Sequence, residues 1–237
     1  MATINAVLFD WGGTITPWHV VDLLEIWSAA ASILAPEQAD ELAAALVAAE
    51  SELWLQTSSS MASFTTDQLM RHAVAAVGLE VDEATYAAAT EVYRLGWLPH
   101  TAAGPGALEM MRALRERGLR TGLLSNTNWP RAWHDDFLAD DGLLELLDAT
   151  VYTSELSHMK PHPSAFQTLL DAVGTTGEQA VFVGDRLHDD VSGAKALGMR
   201  TVWIRNEFVP AYDVQSDAVI DDLSELVDVV DGFLRQN

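Results

Sequence analysis

The chain has 237 residues, 49% of them apolar, enough for one large domain or a core carrying a modest insertion. Its 13 basic and 35 acidic residues give a formal charge of −22, which repels phosphate backbones and argues against a nucleic-acid partner. Without cysteine there are no disulfides, thiolate metal sites or cysteine nucleophiles, and no stretch reads as a signal peptide or a membrane span, so a soluble, cytoplasmic protein with no membrane partner is expected.

Ile4–Phe9 reads as a buried strand that stops at a carboxylate in "FDWGGT". A helix is expected over His19–Leu34, where Val20, Leu23, Leu24, Trp27 and Ala31 recur at helical spacing. Pro36 suits the first turn of a second helix running to about Thr57. Thr65 or Thr66 can cap a third helix, Asp67–Val77, and Asp82–Trp97 reads as a fourth. No strand pattern interrupts these four.

After "PHTAAGPG" the rhythm changes to helix and strand in alternation. The expected order is helix Ala107–Arg117, strand Arg120–Leu124, helix Trp129–Leu138, strand Thr150–Tyr152 and helix Ser164–Ala172. Strand Ala180–Val183, helix Asp190–Leu197, strand Thr201–Ile204, strand Ala218–Ile220 and helix Leu223–Leu234 complete it. This alternation predicts an α/β fold, a Rossmann-like doubly wound parallel sheet covered on both faces. The four-helix run makes the core discontinuous: residues 1–16 and 100–237 form it, and residues 17–99 form an inserted helical bundle.

In such a sheet ligands gather at the carboxyl ends of the strands. Those ends bring Asp10 and Thr14, then Ser125 and Asn126, then Lys160 from "HMKPHP", then Gly184, Asp185, Asp189 and Asp190. Carboxylates that converge repel one another unless a divalent cation lies between them, and hard oxygen donors without thiolate or histidine suit magnesium. A lysine and a serine hydroxyl suit the oxygens of a phosphoryl group. The bland readings are a turn cap for Asp10, a solvated loop for Lys160 and a helix N-terminal pair for Asp189 and Asp190. However, the only other lysine, Lys195, falls inside a predicted helix. Gly193 and Gly198 read as helix packing and termination.

"VLFDWGGT", "LLSN", "KPHPSAF" and "VFVGDRLHDDVSGAKALGM" together resemble the four ordered motifs of the haloacid dehalogenase superfamily, with the helical run where that family carries an α-helical cap. The resemblance implies a phosphatase of small phosphorylated metabolites in which Asp10 takes up the phosphoryl group as an aspartyl phosphate. It further implies that Ser125, with Thr14 and Asn126, binds phosphate, and that Lys160 steadies both phosphate and Asp10. Magnesium would be held by Asp10, Asp185, Asp190 and the backbone carbonyl of Gly12, with Asp189 orienting its waters.

Gly12 stands where most phosphatases of this family carry a second aspartate, the one that protonates the leaving group and activates water. Phosphonoacetaldehyde hydrolases also lack it but use a cap lysine, and residues 15–103 here contain none. The 2-haloacid dehalogenases lack the metal aspartates that "GDRLHDD" keeps, whereas some sugar-phosphate phosphatases read Asp-x-Gly. His19, beside Trp18, is the candidate surrogate acid; His158, His162 and His188 lie near the later motifs. The alternatives are a catalytically weak phospholigand-binding or regulatory protein, and a phosphotransferase with a long-lived phosphoenzyme. Trp11, Trp18, Trp129 and Trp133 are expected to line a pocket, and Trp27, Trp54 and Trp97 to form cap core. Arg71 and Arg94 read as surface salt bridges or as contacts to a substrate anion.

Overall fold

The fold is built outward from β1 (Ala6–Phe9), a strand of four residues with every side chain buried. The computed structural model describes residues 3–236, so the outermost residues assigned above to the core, 1–2 and 237, lie outside it. β2 (Arg120–Ser125), β3 (Ala149–Tyr152), β4 (Ala180–Gly184), β5 (Arg200–Ile204) and β6 (Ala218–Ile220) join β1 in one parallel sheet of order β3-β2-β1-β4-β5-β6. Such a sheet hides both faces, which explains strands that read as unbroken apolar runs. Val7, Phe9, Leu123, Val181 and Val183 face one core, and Ala6, Leu8, Leu124 and Phe182 the other.

The helices of the alternating part are α5 (Ala107–Glu116), α6 (Arg131–Asp140), α7 (Pro163–Val173), the short α8 (Gly193–Ala196) and α9 (Leu226–Arg235). Between β1 and α5 come α1 (Leu23–Leu34), α2 (Ala39–Ser60), α3 (Thr66–Ala76) and α4 (Glu83–Trp97), which pack on one another. Asp82 caps α4 through the amides of Ala84 and Thr85, and Thr65 with Gln68 forms a capping box on α3. Buried Trp27 stacks on buried Tyr93 with centroids 4.0 Å apart and ties α1 to α4. No helix among the described residues is long and apolar enough to cross a membrane.

Two departures from expectation shape the site. α1 starts at Leu23 rather than His19, because the Asp22 carboxylate accepts from the amides of Leu24 and Glu25 and fixes the helix start there. Residues 17–21 are left as connecting chain. The helix expected over Asp190–Leu197 begins instead with a π-helical turn, Leu187–Ser192, in which the Val191 amide reaches five residues back to the Arg186 carbonyl.

The four-helix segment has a third attachment besides its two connections. The amide of Met159 donates to Met61 O, that of Ser63 to Ser157 O, and that of Thr66 to Asn128 O, at 2.9, 3.2 and 2.8 Å. Met61 ends α2 in the left-handed region with φ 54°, an unusual conformation for a side chain of its size.

Candidate active site

The chain reverses its sense of winding at β1, with β2 on one side and β4 on the other, and this is where a doubly wound sheet opens a crevice. Asp10 follows β1 directly and continues its pairing, donating its amide to Val183 O at 2.9 Å. Its carboxylate Oδ1 lies 2.6 Å from Lys160 Nζ, and the same ammonium lies 2.7 Å from Asp190 Oδ1. All three groups are buried. An ion pair this far from water holds only where geometry and further hydrogen bonds offset desolvation. Asp190 has that support: its Oδ2 accepts from the amide of Arg186 at 2.9 Å, a bond the π turn makes by bringing the carboxylate back over β4. Gly184 is what allows it, since a Cβ there would collide with the Asp190 side chain.

Asp185 completes a group of three carboxylates whose oxygens lie within 4.8 Å of one another. Its Oδ2 accepts from Asn206 Nδ2 at 2.6 Å, while Oδ1 is buried with no partner. Burial, followed by the charge of Asp10, pushes the Asp185 carboxyl up to about 6. Burial also pushes Asp190 upward, against the opposing pull of Lys160. Burial alone would lower the Lys160 ammonium, but Asp10 and Asp190 more than reverse that and raise it. One ammonium among three carboxylates leaves negative charge at a place where a buried oxygen still lacks a donor. Gly13, at φ +81°, leaves room there, because a Cβ would strike Asp185 Oδ2.

Ser125 ends β2, is buried and lines the cleft. The two other residues expected to meet phosphate, Asn126 and Thr14, each have partners within the protein. Asn126 turns its side chain away to clamp the backbone of Lys160, donating Nδ2 to Lys160 O at 3.0 Å and accepting the Lys160 amide at 2.9 Å. Thr14 places its hydroxyl 3.4 Å from Asp10 Oδ2 and does not line the cleft. Asn126 nevertheless lines it. Asp189 pairs with His188 Nδ1 at 2.8 Å, so this carboxylate is engaged away from the cluster. Gly12 has open space around its α-carbon: a Cβ added there would meet nothing within 4 Å.

The cleft encloses about 780 Å³ between this sheet edge and the four helices, a size suited to a small molecule. Trp11, Trp18 and Trp129 line it as expected; Trp133 instead packs against Tyr93, 6.1 Å between centroids. Trp54 and Trp97, expected in cap core, also line it. His19 and His100 meet edge-on at 5.2 Å on its wall, where the late start of α1 leaves His19 exposed. Arg71 pairs with Asp67 and Glu83, and Arg94 with Glu91 and Asp136, all outside the cleft. Three groups escaped sequence reading. Asn206 lies two residues past the end of β5, so the strand-end rule could have found it. His134 is buried against Trp11 and Tyr152, its Nε2 3.0 Å from Thr127 Oγ1, and burial followed by Arg131 lowers it to about 3. Glu50, buried in α2, carries no motif.

A doubly wound sheet with an aspartate after its first strand, a buried lysine and an acidic pair after β4 defines a class. The family of haloacid dehalogenase-like hydrolases matches residues 4–198, and the chain belongs to it. It is 31% identical over 131 residues, 54% of each chain, to a glyceraldehyde 3-phosphate phosphatase of Pyrococcus furiosus, and so spans about half of that relative's length. It is 32% identical over 170 residues to a phosphoglycolate phosphatase of Rhodospirillum rubrum, covering 68% of this chain and 69% of that one. Among solved structures, a HAD phosphatase from Thermococcus onnurineus superposes with a TM-score of 0.70 at 25% identity, over 97% of this chain and 99% of that one. A 2-haloacid dehalogenase from Pseudomonas syringae pv. Tomato DC3000 shares the fold, with a TM-score of 0.71 at 24% identity over 97% and 99% of the chains.

Proposed function

We propose that the chain is a magnesium-dependent phosphatase of small phosphorylated metabolites, working through an aspartyl phosphate on Asp10. The observation that carries this reading is the buried Lys160 bridging Asp10 and Asp190 beside an Asp185 oxygen without a partner. The carboxylates of Asp10, Asp185 and Asp190 form a donor set that fits magnesium and would hold it together with the Gly12 carbonyl, while Asp189, paired with His188, would act at most on its outer waters. When bound, the ion would neutralise charge on the phosphoryl oxygens.

In the first step an Asp10 oxygen forms a bond to phosphorus as the bond from phosphorus to the ester oxygen breaks. Lys160 offsets repulsion between Asp10 and the incoming dianion, and the Ser125 hydroxyl donates to a phosphoryl oxygen. Water then forms a bond to phosphorus as the bond from phosphorus to the Asp10 oxygen breaks, and its protons leave with inorganic phosphate and solvent. Because Gly12 offers no proton, leaving groups that depart as stable anions (the oxyanion of an anomeric carbon, a phenolate or a carboxylate) are favoured. His19, on the cleft wall, is the candidate surrogate acid; a pH–rate profile that stays the same in His19→Ala removes it from the mechanism. The names of the relatives, phosphatases of glyceraldehyde 3-phosphate and of phosphoglycolate, support a small metabolite as substrate. Residues 17–99 act as the cap over a core of residues 1–16 and 100–237.

Gly12 also favours a second reading, in which turnover has been lost and the site binds a phospholigand, or passes a long-lived phosphoryl group to an acceptor. The deciding experiment follows aryl phosphate hydrolysis with magnesium for the natural chain, Asp10→Asn and Gly12→Asp. The phosphatase reading expects steady turnover that Asp10→Asn reduces on the order of a thousandfold or more. Gly12→Asp, which the open space accommodates, is expected to raise turnover on the order of a hundredfold. No turnover and no covalent phosphate would leave a binder; a burst that an added acceptor discharges would mark a transferase.

A further inference from the structure

The two sides of the cleft differ in their charged groups: the sheet side mixes Lys160 and Arg186 with Asp10 and Asp189, and the helical side carries a single acid among the described residues. The fixed cations of the cleft, Lys160 and Arg186, thus both come from the sheet side. Among the described residues that line it, the helical side contributes one carboxylic acid, Glu50, and no lysine or arginine. The nitrogen bases on that side are the imidazoles of His19 and His100.

Glu50 is 6% exposed, and its Oε2 accepts from Trp27 Nε1 at 2.7 Å. Burial, outweighing the indole hydrogen bonds of Trp27 and Trp54, raises its carboxyl above the ordinary range. A buried acid is an expensive element of a largely apolar helical core. Its carboxyl takes hydrogen bonds from the indoles of Trp27 and Trp54, and Trp18, Trp97 and Trp129 line the same cleft. Indole faces attract cations, and a carboxylate beside them completes a site for an ammonium group.

The geometry points to a phosphate monoester with an ammonium group on its leaving half, the phosphoryl at Lys160 and Ser125 and the cation between Glu50 and the indoles. This rests on the phosphatase reading and deepens it. An added ammonium also lowers the net negative charge of the substrate, and with it the repulsion from the −22 field. Together with the missing acid at position 12, the class narrows to ammonium-bearing phosphates on an anomeric, acyl or aryl oxygen. A carboxylate in the place of that ammonium, in contrast, would face Glu50.

The test compares glucosamine 1-phosphate with glucose 1-phosphate, which differ by an ammonium in place of a hydroxyl. Binding to the magnesium-loaded protein is read by tryptophan fluorescence in Asp10→Asn, and kcat/KM is measured in the natural chain. The expected result is a preference for the ammonium ligand of about tenfold or more. Glu50→Gln keeps an oxygen for Trp27 Nε1 and is expected to bring the ratio within about twofold. Equal affinities with Glu50 present overturn the proposal, as does a ratio that Glu50→Gln leaves intact. If Glu50→Gln does not fold, the two-ligand comparison with Glu50 present decides alone. Preference in binding without any turnover would overturn the phosphatase reading and leave this one standing; turnover without preference would do the reverse.

Discussion

The two walls of the cleft are built on different principles. On the sheet side the side chains are charged, buried and over-determined: Lys160 holds two carboxylates, Asn126 holds the Lys160 backbone, and the π turn holds Asp190. On the helical side one buried acid, Glu50, is held by the indoles of Trp27 and Trp54, and the other titratable groups lining the cleft there, among the described residues, are the imidazoles of His19 and His100. Chemistry that must repeat for every substrate needs fixed dipoles, whereas selection among substrates needs only shape and one complementary charge.

Three perturbations bear on that contrast. Lys160→Met leaves Asp10 and Asp190 buried without their cation, and a loss of about 3–5 kcal/mol is expected as a lowered Tm. A Tm close to that of the natural chain would mean the sheet-side wall is looser than described. His134 tests the seam beneath Trp11. Its folded value of about 3 lies below the usual 6.5, so the unfolded chain binds the extra proton and stability falls as pH drops from about 6.5 toward 3. The loss is about 1.4 kcal/mol per pH unit across that window. His134→Gln should flatten that acid limb in denaturant titrations at stepped pH, and an unchanged slope would reassign it to the carboxylates. The smallest effect is expected of Arg71→Ala: KM for any phosphate ester should stay the same, because Arg71 is held by Asp67 and Glu83 away from the cleft. A raised KM would break the claim that the helical wall presents no cation.

The sheet side is legible in the sequence because strand ends, and the motifs that follow them, are local. β1, β2 and β4 each deliver their polar residue at or just after the end of an apolar run, so Asp10, Ser125 and Asp185 can be read off directly. The side-chain directions of Thr14 and Asn126 cannot, because each depends on a partner that the fold brings within reach. Glu50 is invisible for a related reason. Its neighbour Trp27 is 23 residues away, and on an alanine-rich helix nothing distinguishes an inward acid from a solvated one. The start of α1 departs from its apolar spacing, which extends back past Asp22, because one capping carboxylate outweighs a turn of favourable periodicity.

The attachment at Met61–Thr66 gives the molecule a tether between its two walls. Met159 donates to Met61 O, and the next residue is the lysine that holds Asp10. Any swing of the four helices away from the sheet must either break that bond or pull on the segment that carries Lys160. Admission of substrate and assembly of the charged centre are therefore mechanically linked. The amides of Ser63, Thr66 and Met159 should exchange with solvent deuterium together, at the rate at which the enclosure opens.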